Sequence, residues 1–148
     1  MSDVKEKPNL SDADLMLLEK KLDTMSEAEL RTWLTTLDAT VEVEQKESCQ
    51  EHFMDFVHRV WPDFIDGAHH AEMAAAFERV ANGQCKRLII NMPPRHTKSE
   101  FASYLLPAWF LGKFPKKKVI QTSHTAELAV GFGRKVRNLV DSDIYKSI

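Results

Sequence analysis

K-R-L-I-I-N-M-P-P-R-H-T-K-S-E-F-A-S-Y-L-L-P-A-W-F-L, residues 86–111, is the stretch whose reading decides the fold. Leu88, Ile89 and Ile90 form a continuous apolar run, so Arg87 to Met92 reads as a strand buried on both faces. Pro93 and Pro94 end it, since neither offers an N–H to a ladder. Lys98, Ser99 and Glu100 then open an apolar helix. Strand, polar turn and helix make the geometry of a phosphate-binding loop, where the first amides of the helix and its positive dipole end face an anion. The Lys98 ammonium is then placed for the β- and γ-phosphates, and the Ser99 hydroxyl for a Mg²⁺ carried by the nucleotide.

The pattern departs from G-x-x-x-x-G-K-[ST], because Met92 and Thr97 stand where the glycines belong. A glycine before the lysine lets the main chain approach phosphate with no Cβ in the way. Thr97 is therefore expected at backbone angles that a β-branched residue accepts. The plainer reading of the whole stretch is a polar turn between a strand and a helix.

M-P-P-R-H-T-K-S-E, with F-V-H-R-V-W-P-D-F upstream and V-I-Q-T-S-H-T-A-E-L-A downstream, resembles the large terminase subunits of tailed phages. These are ATPase–nuclease motors that package DNA, and the resemblance covers residues 51–148. It implies an α/β fold: the partial core of an ASCE-like P-loop NTPase, with parallel strands, preceded by a helical segment over residues 1–50. It implies ATP and Mg²⁺ as ligands. Nucleotide contacts would come from Pro94, Arg95, His96, Thr97, Lys98, Ser99 and Glu100, with Ser99 on the magnesium. Arg95 and Lys98 would be the catalytic pair, the Arg95 fork suiting a γ-phosphate or the coupling of nucleotide state to movement. The implied partners are double-stranded DNA, a small terminase subunit, the portal and further large subunits in a ring. The implied setting is the cytoplasm of a phage-infected bacterium. Thr97 in place of the second glycine is the less usual departure from that family's loop.

The resemblance also places part of an adenine pocket before the loop, where Phe64, His69 and His70 are the candidates; core or capping duty is the alternative for each. After the loop, Val119 to Ser123 reads as a second strand ending in T-S-H-T. Thr122, Ser123 and Thr125 are candidates for a DNA phosphate, or for an ordinary helix cap. Arg134, Lys135 and Arg137 cluster on the helix that follows. No strand ending in Asp-Glu occurs in residues 125–148, so the chain is expected to be the N-terminal portion of a larger motor, stopping before Walker B and hydrolysing ATP poorly by itself. Other P-loop NTPases, such as a helicase-like motor, and a non-catalytic partner-binding module are the rival readings.

Composition narrows the field further. Of the 148 residues, 43% are hydrophobic and 28% charged, which describes a folded soluble domain. The net charge of −2 hides an asymmetry. Residues 1–50 carry 12 acidic and 6 basic side chains, a balance of −6, and residues 51–148 carry 10 and 14, a balance of +4. The basic part coincides with the loop, the right sign for polyanions. Cys49 and Cys85 are far apart and read as reduced thiols. The opening residues have no apolar core of a secretory signal, and Phe101 to Leu111 is too short for the ~20 residues of a membrane span.

Capping patterns organise the N-terminal part. Residues 1–10 read as a polar tail. Ser11 with Asp14, and Ser26 with Glu29, are capping boxes opening two short amphipathic helices. A separate third helix is expected from Val41 to Val60. A fourth should open at His69 and stop before Gly83.

Overall fold

The computed structural model describes residues 11–148, so the expected polar tail lies outside the described residues. It divides into two compact units, with the boundary between Glu42 and Val43. Both are built from helices, and no strand or sheet occurs among the described residues. The expected parallel-strand α/β core is therefore corrected to an all-helical one. The two segments read as strands are extended but form no ladder. Ile89 is 85% exposed and Ile120 90%. An extended backbone gains its stability from a neighbour's N–H and C=O groups, and neither segment has such a neighbour among the described residues.

In the first unit, α1 (Asp12–Thr24) begins with a complete capping box: Ser11 Oγ accepts from Asp14 N–H, and the Asp14 carboxylate accepts from Ser11 N–H. The Ser26 and Glu29 side chains do the same at the start of α2 (Glu27–Glu51). These contacts hold the Asp14 and Glu29 carboxyls below their usual range. α2 runs straight through the position where two helices were expected. Residues 27–51 contain neither Pro nor Gly, so nothing interrupts its hydrogen-bond ladder. No residue of α1 is buried.

The second unit contains the end of α2, then α3 (Phe53–Val60), α4 (Ala68–Ala81), α5 (Lys98–Glu100), α6 (Leu106–Lys113), α7 (Ala126–Asp141) and α8 (Asp143–Lys146). Phe53 is the centre of its core. Its ring meets those of Phe77, Phe101 and Trp109 edge-on at 5.3, 5.5 and 5.5 Å, the arrangement the ring quadrupoles favour. Its N–H, an orphan of the first turn of α3, donates to Glu78 Oε1 from α4 at 2.9 Å. Trp109 Nε1–H donates to the Cys49 carbonyl at 2.9 Å, tying α6 to the end of α2.

α4 ends as its sequence indicates, with Asn82 at the cap and Gly83 at φ +74°, a left-handed position glycine reaches at no steric cost. α5 continues without a break through a π-helical turn, Phe101–Leu105, into α6. Pro107 explains the π turn. It supplies no N–H, so the ladder widens upstream and Leu106 N–H donates to the Phe101 carbonyl, five residues back. The Ser103 carbonyl that Pro107 leaves open accepts instead from Gln121 Nε2 at 3.0 Å.

Candidate phosphate-binding loop

Pro93 to Glu100 is a curled loop running into a helix start. Thr97 is the N-cap at φ 54° and ψ 3°, left-handed, and Arg95 is also left-handed at φ 66°. This corrects the expectation that Thr97 would take an ordinary β-branched conformation. It occupies glycine-type backbone space at a cost of about 1–2 kcal/mol. The helix registers at once, with Phe101 N–H donating to the Thr97 carbonyl at 2.9 Å. The N–H groups of Thr97, Lys98, Ser99 and Glu100 meet no acceptor among the described residues. These are the orphan amides that a helix start offers to an anion. Lys98 Nζ donates to the Pro93 carbonyl at 3.2 Å, so the ammonium folds back across the loop. Pro94, Arg95, His96 and Ser99 are exposed.

A chain of hydrogen bonds holds Thr97 in this conformation. At the start of α4, Gly67 N–H donates to His70 Nδ1 at 2.9 Å. That nitrogen is therefore the acceptor, and in the neutral ring the proton lies on Nε2. His70 Nε2–H then donates to Thr97 Oγ1 at 2.6 Å, and the Thr97 hydroxyl proton goes to the His96 carbonyl at 2.7 Å. Each group in the chain has one consistent role. His70 is buried, with its ring against Phe101 at 4.9 Å and Phe64 at 4.7 Å. Burial, reinforced by His69 and His96, pushes its pKa below the ordinary 6.5, against the pull of Asp66.

His69 lies against His70 at 3.8 Å between ring centroids, and His96 is 5.7 Å from His69. His96 Nδ1–H donates to the Pro94 carbonyl at 3.0 Å. Three imidazoles thus border the loop. Of the adenine candidates, Phe64 and His70 are engaged in the ring cluster with Phe101, and the His69 ring lies tilted against His70. Beside the first turn, Glu100, an expected contact, borders a cavity with four residues that are not among the candidates. This cavity, of about 520 Å³, is lined by Val60, Trp61, Glu100, Tyr104 and Leu105. Glu100 is turned toward α7, where Lys135 Nζ meets its Oε1 at 2.7 Å. Burial, with the nearby Glu100 charge, raises the Tyr104 phenol.

The downstream candidates lie apart from this hydrogen-bond chain. Thr125 Oγ1 accepts from Leu128 N–H at 3.3 Å, so its side chain caps α7. Thr122 and Ser123 lie exposed on the extended segment before it. Arg134 and Arg137 are exposed on α7. Among the described residues, no helix is long and apolar enough to cross a membrane. Compared with protein-family models, with curated proteins and with solved structures, the chain matches none.

Proposed function

We propose that residues 93–100 bind the phosphates of a nucleoside triphosphate, ATP with Mg²⁺, and that the chain serves a DNA-packaging motor similar to phage terminase large subunits. One observation carries the reading. Two non-glycine residues, Arg95 and Thr97, hold left-handed conformations immediately before a helix start whose first amides are open, with a lysine folded over the same turn. Strained backbone of this kind persists only where the surroundings over-determine it, and it concentrates at ligand sites.

The donor set fits a triphosphate. Open amides receive phosphate oxygens, Lys98 exchanges a neutral carbonyl for an anion, and the Arg95 guanidinium is exposed and forked for a terminal phosphate. The Ser99 hydroxyl has no protein partner among the described residues and is free for a nucleotide-borne Mg²⁺. Ser99 would hold a nucleotide-borne Mg²⁺, which would supply neutralising charge to the phosphates; the chain's own residues bind and orient. The +4 balance of residues 51–148 has the sign that DNA and nucleotide both require.

The test is the affinity of an ATP analogue for the intact chain and for Lys98→Ala. A charge-assisted contact of about 1.5–3 kcal/mol predicts roughly 10- to 150-fold weaker binding by the variant. Equal affinities remove the phosphate role.

A second reading, partner binding by the N-terminal helices, has an observation of its own. Leu15, Met16, Leu17, Leu34, Leu37 and Val41 are all exposed, although α1 and α2 are firmly capped. Such faces fit a small terminase subunit or a neighbouring motor subunit.

A further inference from the structure

The loop's left-handed turn is not held by glycine, so something else must hold it, and the hydrogen bonds identify what. His70 Nδ1 is fixed by Gly67 N–H and its Nε2–H is fixed on Thr97 Oγ1. The imidazole therefore bridges the start of α4 and the N-cap of α5 across 27 residues of sequence.

We propose that His70 is a pH-sensitive latch on the phosphate loop: neutral, it holds Thr97 left-handed and the helix start open, and protonated it lets the turn relax. The reason is donor counting. The imidazolium carries N–H on both nitrogens, so Nδ1–H would face Gly67 N–H across 2.9 Å, two donors with no acceptor between them. The ring cannot keep that slot, and Thr97 loses its partner when it leaves.

The groups facing His70 act in the same direction, with one exception. His69 beside it on α4 and His96 from the loop oppose a positive charge. Phe101 stacks on its ring and Phe64 meets it edge to face, and the residue is buried. Asp66 alone favours the cation, and that carboxylate already meets His58 Nε2 at 3.0 Å. The sign follows. The folded-state pKa lies below the ordinary 6.5, so the latch is fully closed above that value and is lost as pH falls through the folded pKa.

His70 is on this view a positioning residue. Its consequence for affinity rests on the triphosphate reading, but the latch itself does not. Two measurements separate them. The first needs no nucleotide: long-range ¹H–¹⁵N spectra of the intact chain between about pH 8 and about pH 5. They should show His70 as the Nε2–H tautomer at high pH, and Thr97 backbone shifts leaving the left-handed region along the His70 titration curve. An Nδ1–H tautomer, or a Thr97 that stays in place while His70 titrates, overturns the latch.

The second follows ATP-analogue affinity over the same pH range for the wild type and for His70→Gln. Glutamine sets an amide N–H where Nε2–H was but does not titrate, so the ratio of the two cancels protonation of the ligand's own phosphates. Affinity relative to that variant should fall as pH drops, by about 5- to 30-fold once His70 is charged. A flat ratio, or tighter binding at low pH as for imidazoles that ligate the anion, overturns it. His70→Asn, which keeps the Gly67 contact but falls short of Thr97, should weaken binding at neutral pH, and Thr97→Gly should abolish that sensitivity. If the wild type binds no analogue at any pH, the triphosphate reading fails while the spectra still decide the latch.

Discussion

Substituting Thr97 by Ala and by Gly isolates the strain on which the loop depends. Both changes delete the hydroxyl, and with it the contacts to His70 and to the His96 carbonyl, so their difference reports the Cβ alone. At φ 54° an L-residue carries about 1–2 kcal/mol of left-handed strain, which Gly does not. Glycine's freer unfolded chain costs about 0.4–1 kcal/mol in the other direction. With the Ala variant held in the same turn, Thr97→Gly should therefore be more stable than Thr97→Ala, by about 0.8 kcal/mol at mid-range and up to about 1.6. That is the reverse of the ordinary order. An internal control is Ala75, exposed in the middle of α4, where Ala75→Gly should cost about 1 kcal/mol. Urea unfolding followed by circular dichroism gives the comparison, with equal m values required for the free energies to be compared. A Thr97→Ala chain more stable than Thr97→Gly, together with wild-type Thr97 backbone shifts outside the left-handed region, would mean that residue 97 is not left-handed in solution, and the open helix start would fall with it. The same order with wild-type Thr97 still left-handed would mean that the hydroxyl's grip alone holds the turn.

The Pro107 and Gln121 pair gives a second test, of the π turn. Gln121→Ala leaves the Ser103 carbonyl without its donor and should cost about 1 kcal/mol, whereas in a Pro107→Ala background residue 107 supplies the N–H itself and the cost should vanish; additive effects would disprove the link. Ile89→Lys tests the absence of a sheet. At 85% exposure the change should move stability by no more than about 0.5 kcal/mol while lowering self-association in light scattering, and a loss of several kcal/mol would mean that Ile89 is buried in a strand after all.

Local signals are legible where a single residue's chemistry decides the outcome. The Ser11 and Ser26 boxes and the Gly83 stop each depend on contacts within four residues, and each is where its side chains demand; the helix start at Lys98 also stands where the string places it, although its N-cap is held from 27 residues away. The strands failed for the opposite reason. Leu88-Ile89-Ile90 has the composition of a buried strand, but a strand is a statement about a neighbour, and no local pattern contains one. The break between α2 and α3 is of the same kind. Nothing at His52 marks a helix end, because the orphan amide at Phe53 is capped by Glu78, 25 residues further on.

The site divides along the same line. Lys98 and Ser99 at a helix start could be found from the string itself, but the meaning of Thr97 could not. Taken alone, a threonine where a glycine belongs counts against phosphate binding, since its Cβ resists the required backbone. Against His70 it becomes a different device, because the hydroxyl that glycine lacks is what the imidazole grips. Glycine would make the turn permissive at every pH, whereas threonine makes it conditional on a partner elsewhere in the fold. The departure from the standard motif is therefore what makes the loop switchable, and the proton on His70 Nδ1 is the variable that switches it.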